Sequence, residues 1–183
     1  MQGANELIRK FQRLGGQHAS QMVLTAVHQG AKFVQAEAKL RAPANTGELR
    51  QSIKTRAKLE GNIAGGEVFV GVEHGIYVEF GTGPKGAANH SGVSPEINVS
   101  YRSTPWYVHE SQIDVGPYHF AKRGEFYKMY GQPAQPYLYP ALKNNEMKVQ
   151  RVIASHVKKK ISEKKVQKIV ANYVNKKIEE LAR

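Results

Sequence analysis

Cysteine is absent from the 183-residue chain, which excludes disulfides, thiolate metal sites and thiol nucleophiles. Aspartate is nearly absent: Asp114 is the only one, so a carboxylate-rich metal site of the nuclease or phosphotransfer kind is not expected. The histidines, His18, His28, His74, His90, His109, His119 and His156, form no HExxH and no other close ligand pair. There is no GxSxG and hence no hydrolase elbow. No stretch reaches the roughly 18 to 20 apolar residues of a membrane helix, and Met1 to Leu14 lacks the apolar core of a signal peptide. These absences lead to the expectation of no enzyme, no cofactor, no metal and no membrane contact, in a protein of the cytoplasm or of an assembled particle. One nucleotide-binding pattern needs weighing. Gly81 and Gly86 have phosphate-loop spacing, but Ala87 and Ala88 stand where a Lys and a Ser or Thr are required. A tight surface turn is the simpler reading.

What is present fits one soluble domain with a single modest core, since 40% of residues are hydrophobic and 23% charged. The net charge is +12, which makes an acidic partner plausible. It is concentrated at one end: residues 143–183 hold 12 Lys+Arg against 4 Glu. Lys158, Lys159, Lys160, Lys164, Lys165 and Lys168 mark this stretch. Two readings compete for them. One is the solvated face of a partner-binding helix, because Glu163, Glu179 and Glu180 interrupt the lysines. The other is salt-dependent, non-specific contact with nucleic acid, without a zinc-finger, homeodomain or RNA-recognition signature beside it.

Periodicity organises the rest. Residues 1–19 read as an arm or short helix, with Leu7, Ile8, Phe11 and Leu14 on one face and Gly15-Gly16 as a break. Ser20 to Leu40 reads as a helix capped by Ser20, with Val23, Leu24, Val27, Ala31, Val34 and Ala38 in one stripe ended by Pro43. Leu49 to Leu59 alternates as a strand with one basic wet face, and Glu67 to Val72 as its hairpin partner across Gly61-Asn62 and Gly65-Gly66. His74 to Phe80 is a short amphipathic piece stopped by Gly81-Thr82-Gly83-Pro84. Residues 84–134 form a long loop insertion rich in proline and aromatics, with short strands expected around Trp106–His109 and Tyr118–Ala121. A core domain over 20–142 would then be followed by a basic helix over 143–183, entered at Pro140. Its stripe runs Val149, Ile153, Val157, Ile161, slips at Lys164-Lys165, and resumes at Val166, Val170, Tyr173 and Leu181.

Three blocks stand out in order along the chain: 42–53 (APANTGELRQSI), 77–83 (YVEFGTG) and 135–142 (QPYLYPAL). Thr46-Gly47 lets the chain reverse between helix and strand. Glu79 sits just before a glycine turn, where its carboxylate either accepts backbone N–H groups or stays an exposed charge. Pro136 and Pro140 bracket Tyr137, Leu138 and Tyr139 as an apolar anchor. In this order and spacing the blocks resemble the neck and minor-tail family of long-tailed bacteriophages, the gene-product-ten-like proteins. The likeness spans roughly residues 20–160, and Tyr137 stands where a Phe is usual.

The resemblance implies an α+β fold: a small antiparallel or mixed sheet, a long helix packed across one face, and a C-terminal helix. It implies a structural virion protein at the neck or tail, assembled in the host cytoplasm. Such a protein forms a homo-oligomeric ring, a hexamer or alternatively a dodecamer, beside other phage neck or tail proteins, with packaged DNA as a further contact. Thr46, Gly47, Glu79, Gly81, Pro136 and Pro140 would hold the motif together. Trp106, Tyr107, Tyr118, Tyr130 and Tyr137 would lie at interfaces, which favour aromatic residues.

Overall fold

The computed structural model describes residues 16–44, 47–61, 63–116 and 118–181, with side chains through Val174 except those of 16–19, 166 and 173. The fold is α+β, with two small antiparallel sheets among helices. By its contacts the chain divides into two units. One comprises the residues up to Phe33, Thr55–Val68 and Glu146 onward; the other comprises Val34–Lys54 and Phe69–Asn145.

The first unit is built on a 26-residue helix, α1 (Gly16–Arg41). Gly16 and Ser20 both lie inside it, so the expected N-cap at Ser20 is corrected. Packing of a long stripe outweighs the roughly 1 kcal/mol cost of a helical glycine. The final helix, α6 (Glu146–Leu181), presents Ile153, Val157 and Ile161 to Met22 and Ala26 of α1. Gly30 completes that face of α1: a Cβ there would lie 2.8 Å from Ile153 Cγ1 and 3.3 Å from Val149 Cγ1. Another face of α1 receives the hairpin. A Cβ on Gly66 would sit 2.9 Å from Val27 Cγ1, and His28 Nε2 lies 3.2 Å from Thr55 Oγ1.

The hairpin strands are β1 (Ile53–Glu60) and β2 (Ile63–Val70). Two boundaries differ from the sequence reading. Glu48–Ser52 is a helical turn, α2, rather than strand. Gly65-Gly66 belong to β2 rather than to the turn, and at Gly66 only a residue without a side chain fits beneath Val27. The wet face of β1 carries Lys54, Arg56 and Lys58 as expected, and two of these cations, Arg56 and Lys58, pair across the hairpin with Glu67. Glu67 accepts from Arg56 Nε at 2.5 Å and from Lys58 Nζ at 2.9 Å. These pairs hold the Glu67 carboxyl below its usual value, Lys58 first and Arg56 second.

In the second unit the stripe of α1 continues as Val34 and Ala38, both buried together with Ala42, Leu49 and Ile53. Gln35 Nε2 donates to Ile53 O at 2.6 Å, and Arg50 Nε donates to Ala42 O at 2.8 Å. Two short helices follow, α3 (His74–Phe80) and α4 (Gly83–Ala88). The aromatic region contains a three-stranded sheet, β3 (Trp106–His109), β4 (Lys122–Arg123) and β5 (Phe126–Met129), in the order β3-β5-β4. The expected strand at Tyr118–Ala121 is displaced to 122–123 and 126–129, where Lys128 N can bond Ala121 O at 2.8 Å. Pro140 lies in the first turn of α5 (Leu138–Lys143), and the long helix starts afresh at Glu146. Asn145 between them is buried and donates to Ala141 O at 3.0 Å. No helix among the described residues is long and apolar enough to cross a membrane.

Candidate functional site

Residues of all three sequence blocks meet around α3. Gly75 lies at the meeting point: a Cβ there would come within 2.6 Å of Val70 Cγ1, 2.9 Å of Tyr137 Oη and 3.2 Å of Leu49 Cδ1. Leu49 belongs to the first block and Tyr137 to the third. One turn further on, the Glu79 carboxylate is 4% exposed and accepts three consecutive backbone amides. Oε2 takes Tyr137 N at 2.7 Å and Leu138 N at 2.9 Å; Oε1 takes Tyr139 N at 3.0 Å. Of the two readings of Glu79, the geometry is therefore the buried acceptor. These amides are the unsatisfied donors at the start of α5, and a negative charge there is favoured by charge-assisted hydrogen bonding and by the helix dipole.

Tyr137 is fully buried and donates its hydroxyl to Gly75 O at 3.2 Å. Burial, and then the charge of Glu79, push its phenol up to about 12. Expected at an interface, Tyr137 is instead fully buried within the subunit. Pro136 and Pro140 flank the stretch whose residues 137–139 donate their amides to Glu79. Gly47 caps α2 with φ 79, and Thr46 lies outside the described residues.

The glycine-rich segment is not a surface turn. Gly81, Gly83 and Gly86 are all buried. A Cβ on Gly81 would meet Ala134 N at 2.6 Å and Gly86 Cα at 3.0 Å; one on Gly86 would meet Gly81 C at 2.9 Å. The phosphate-loop spacing is thus two glycines packed against each other, with Gly81 at φ 74 ending α3. Thr82 pairs with Gln132 as an isolated bridge, and Gln135 N bonds Val78 O at 2.8 Å, tying the aromatic region's end to α3.

On this frame the other aromatic candidates reach the surface. Tyr107, Tyr118 and Tyr130 are exposed, and Trp106 is half-buried. Trp106 packs over Gly83 and carries the Arg102 guanidinium 5.5 Å from its ring centre. Tyr107 points to the opposite face of β3, as alternation requires. There it faces Lys128 across the ladder, whose ammonium lies 5.2 Å from the Tyr130 ring. The hydrogen bond to Tyr130, and then its charge and that of Tyr107, raise the Lys128 pKa. Between α3 and the segment 97–106 lies an open groove of about 520 Å³, lined by Ile76, Tyr77, Phe80, Ile97, Tyr101 and Trp106 among others. Sequence reasoning missed this groove, because exposed apolar residues of a helix and a loop become a groove only when folded together.

His109 contacts Ser111 and Glu125, at 2.8 and 3.3 Å, on the surface. Among the described residues no group of three His, Asp or Glu is placed to hold a metal ion. The lysines of α6 lie elsewhere, in the first unit. Lys158, Lys159, Lys164, Lys165 and Lys168 are exposed, and Lys160 pairs with Glu163 at 2.9 Å.

Residues 5–81 match the family described as "Bacteriophage HK97-gp10, putative tail-component", the family that the sequence blocks resemble. The match takes in the first block and most of the second, and ends at Gly81 before the aromatic region begins. No curated protein and no solved structure matches the chain at a significant level.

Proposed function

We propose, starting from a chain whose residues 5–81 match a bacteriophage tail component, that this protein is a structural part of the virion that works by assembly. It forms a ring at the neck or at the top of the tail, joining head to tail or completing the tail. A hexamer is the expected ring, with a dodecamer as the alternative. The family match carries the reading, and the geometry supports it. Tyr107, Tyr118 and Tyr130 are exposed, and interfaces are enriched in such aromatic residues. Ring closure needs two different, complementary surfaces on each subunit.

The test is the mass and shape of the purified protein. Sedimentation and negative-stain images are expected to show a closed ring, and W106A/Y107A a folded subunit that does not assemble. Normal assembly of that double variant would remove the aromatic segment from the interface. A robust hydrolytic activity lost in a folded, still assembling Glu79 or His109 variant would overturn the assembly reading altogether.

A further inference from the structure

The slip in the stripe of α6 at Lys164-Lys165 changes which side of the helix is apolar. At about 100° per residue, Ile153, Val157 and Ile161 centre on one line, and that line packs within the first unit. Ile169, Val170 and Val174 centre on a line roughly 160° round from it. They are 68%, 53% and 47% exposed, and every described side chain from Lys164 to Val174 is exposed. Over residues 164–174, about 16 Å at 1.5 Å per residue, the helix therefore has its described side chains open. It has an apolar face turned away from the first packing seam. An uncovered helix of this length is marginal in water, and β-branched residues weaken it further. Lys158 and Lys165, seven residues apart and so on one edge, border this face beside Ile169.

The groove along α3 is the complementary surface. Ile76, Tyr77, Ile97 and Trp106 supply an apolar floor. Ile76 and Tyr77 are 56% and 47% exposed. Glu73 stands three and four residues before them, on the same helical flank, and Glu96 adjoins Ile97. Both glutamates are exposed. The cation lining the groove, Arg102, is stacked on Trp106. The volume of about 520 Å³ suits three aliphatic side chains of a docked helix, the mode in which an amphipathic helix lays its apolar face into a groove.

We infer that the exposed C-terminal part of α6 of one copy docks into the α3 groove of a second copy, apolar face to apolar floor, with Lys158 and Lys165 toward Glu73 and Glu96. The inference rests on the ring reading and supplies its two unlike surfaces. The pairing is head-to-tail, so it closes into a ring if the rotation allows.

Charge reversal tests it on the full-length protein. K158E/K165E and E73K/E96K should each fold, by circular dichroism and melting. Each should raise the protomer concentration at half-assembly by about tenfold or more, because like charges then face each other. An equimolar mixture of the two should assemble again, and so should the four-fold variant. I169S/V174S should fail in the mixture as well as alone. Recovery in the four-fold variant but not in the mixture would mean docking within one chain and would overturn the proposal. Wild-type assembly by both charge variants would overturn this interface while leaving the ring standing. A wild-type protein that stays monomeric and binds a duplex DNA oligonucleotide or anionic phosphatidylglycerol vesicles through α6 would overturn both.

Discussion

A carboxylate on a seven-residue helix holds three successive amides that lie 58, 59 and 60 residues away in sequence. Replacing it by the amide in E79Q keeps the shape and turns an N–H₂ group toward one of those donors. At least one buried N–H is then left unpaired and the charge facing the helix dipole is lost. The expected cost is about 2–4 kcal/mol of stability, read as a lower melting temperature. Nuclease, peptidase and nucleotide-hydrolysis assays with magnesium, manganese or zinc are expected at background for wild type and variant alike. An unchanged melt would remove the anchor role. Tyr137 adds a pH signature. Its folded pKa, about 12, lies above the ordinary value of 10.0, so the fold favours the neutral phenol. The stabilisation is complete below pH 10 and is lost as pH rises toward 12. A shift of this size is worth about 2–3 kcal/mol. Denaturant unfolding should show wild type losing that much between these pH values relative to Y137F. Parallel curves would refute the assignment.

At the scale of elements, α1 works through two faces with different small residues. Ala26 and Gly30 admit α6, while Val27 and Ala31 meet the glycine of β2. G30L should improve local helix propensity by close to 1 kcal/mol and still destabilise the protein. The added side chain must displace Ile153 and Val149, and overpacking a closed seam costs roughly 1–3 kcal/mol. Urea unfolding checks the sign: a more stable G30L would mean that α6 does not press on α1 there. The hairpin behaves differently. Its ion pairs through Glu67 are exposed and screened, so they settle which charges remain free rather than how firmly the hairpin is held.

For the whole molecule, the decisive feature is where charge is left over. In β1, Arg56 and Lys58 are paired with Glu67, and Lys122 is paired with Glu110. In α6, Lys160 is paired with Glu163, while Lys158, Lys159, Lys164, Lys165 and Lys168 are exposed. K158Q/K159Q/K160Q should lower the yield of completed particles, and more so at high salt, where the weakened attraction is screened further. An unchanged yield of infectious particles would leave these lysines as a solvated face. Contact with packaged DNA and contact with an acidic neighbouring protein both predict the loss. Only the first predicts a steep salt-dependent affinity of the purified protein for DNA.

The α+β class came with the resemblance of the three blocks to a known family, while by itself the sequence determined the hairpin, the stop at Gly81 and the strand at Trp106–His109. Each rests on a local cause: a hydrophobic period, a turn residue or a missing Cβ. The three blocks also announced themselves by composition and order, and the change of stripe at Lys164-Lys165 was legible as a break in period. Tertiary structure decided what those features do. No local rule says that Glu79 and the amides of 137–139 meet, because the chain between them must fold first. Nor does any local rule bury Tyr137 while leaving Tyr107 exposed, since both are aromatics in turn-rich sequence and differ only in what surrounds them. The boundaries at Ser20, Leu49, Gly65 and Pro140 moved for the same reason. Packing of one element against another outweighed propensities worth about 1 kcal/mol each, and those contacts come from residues far apart in the chain.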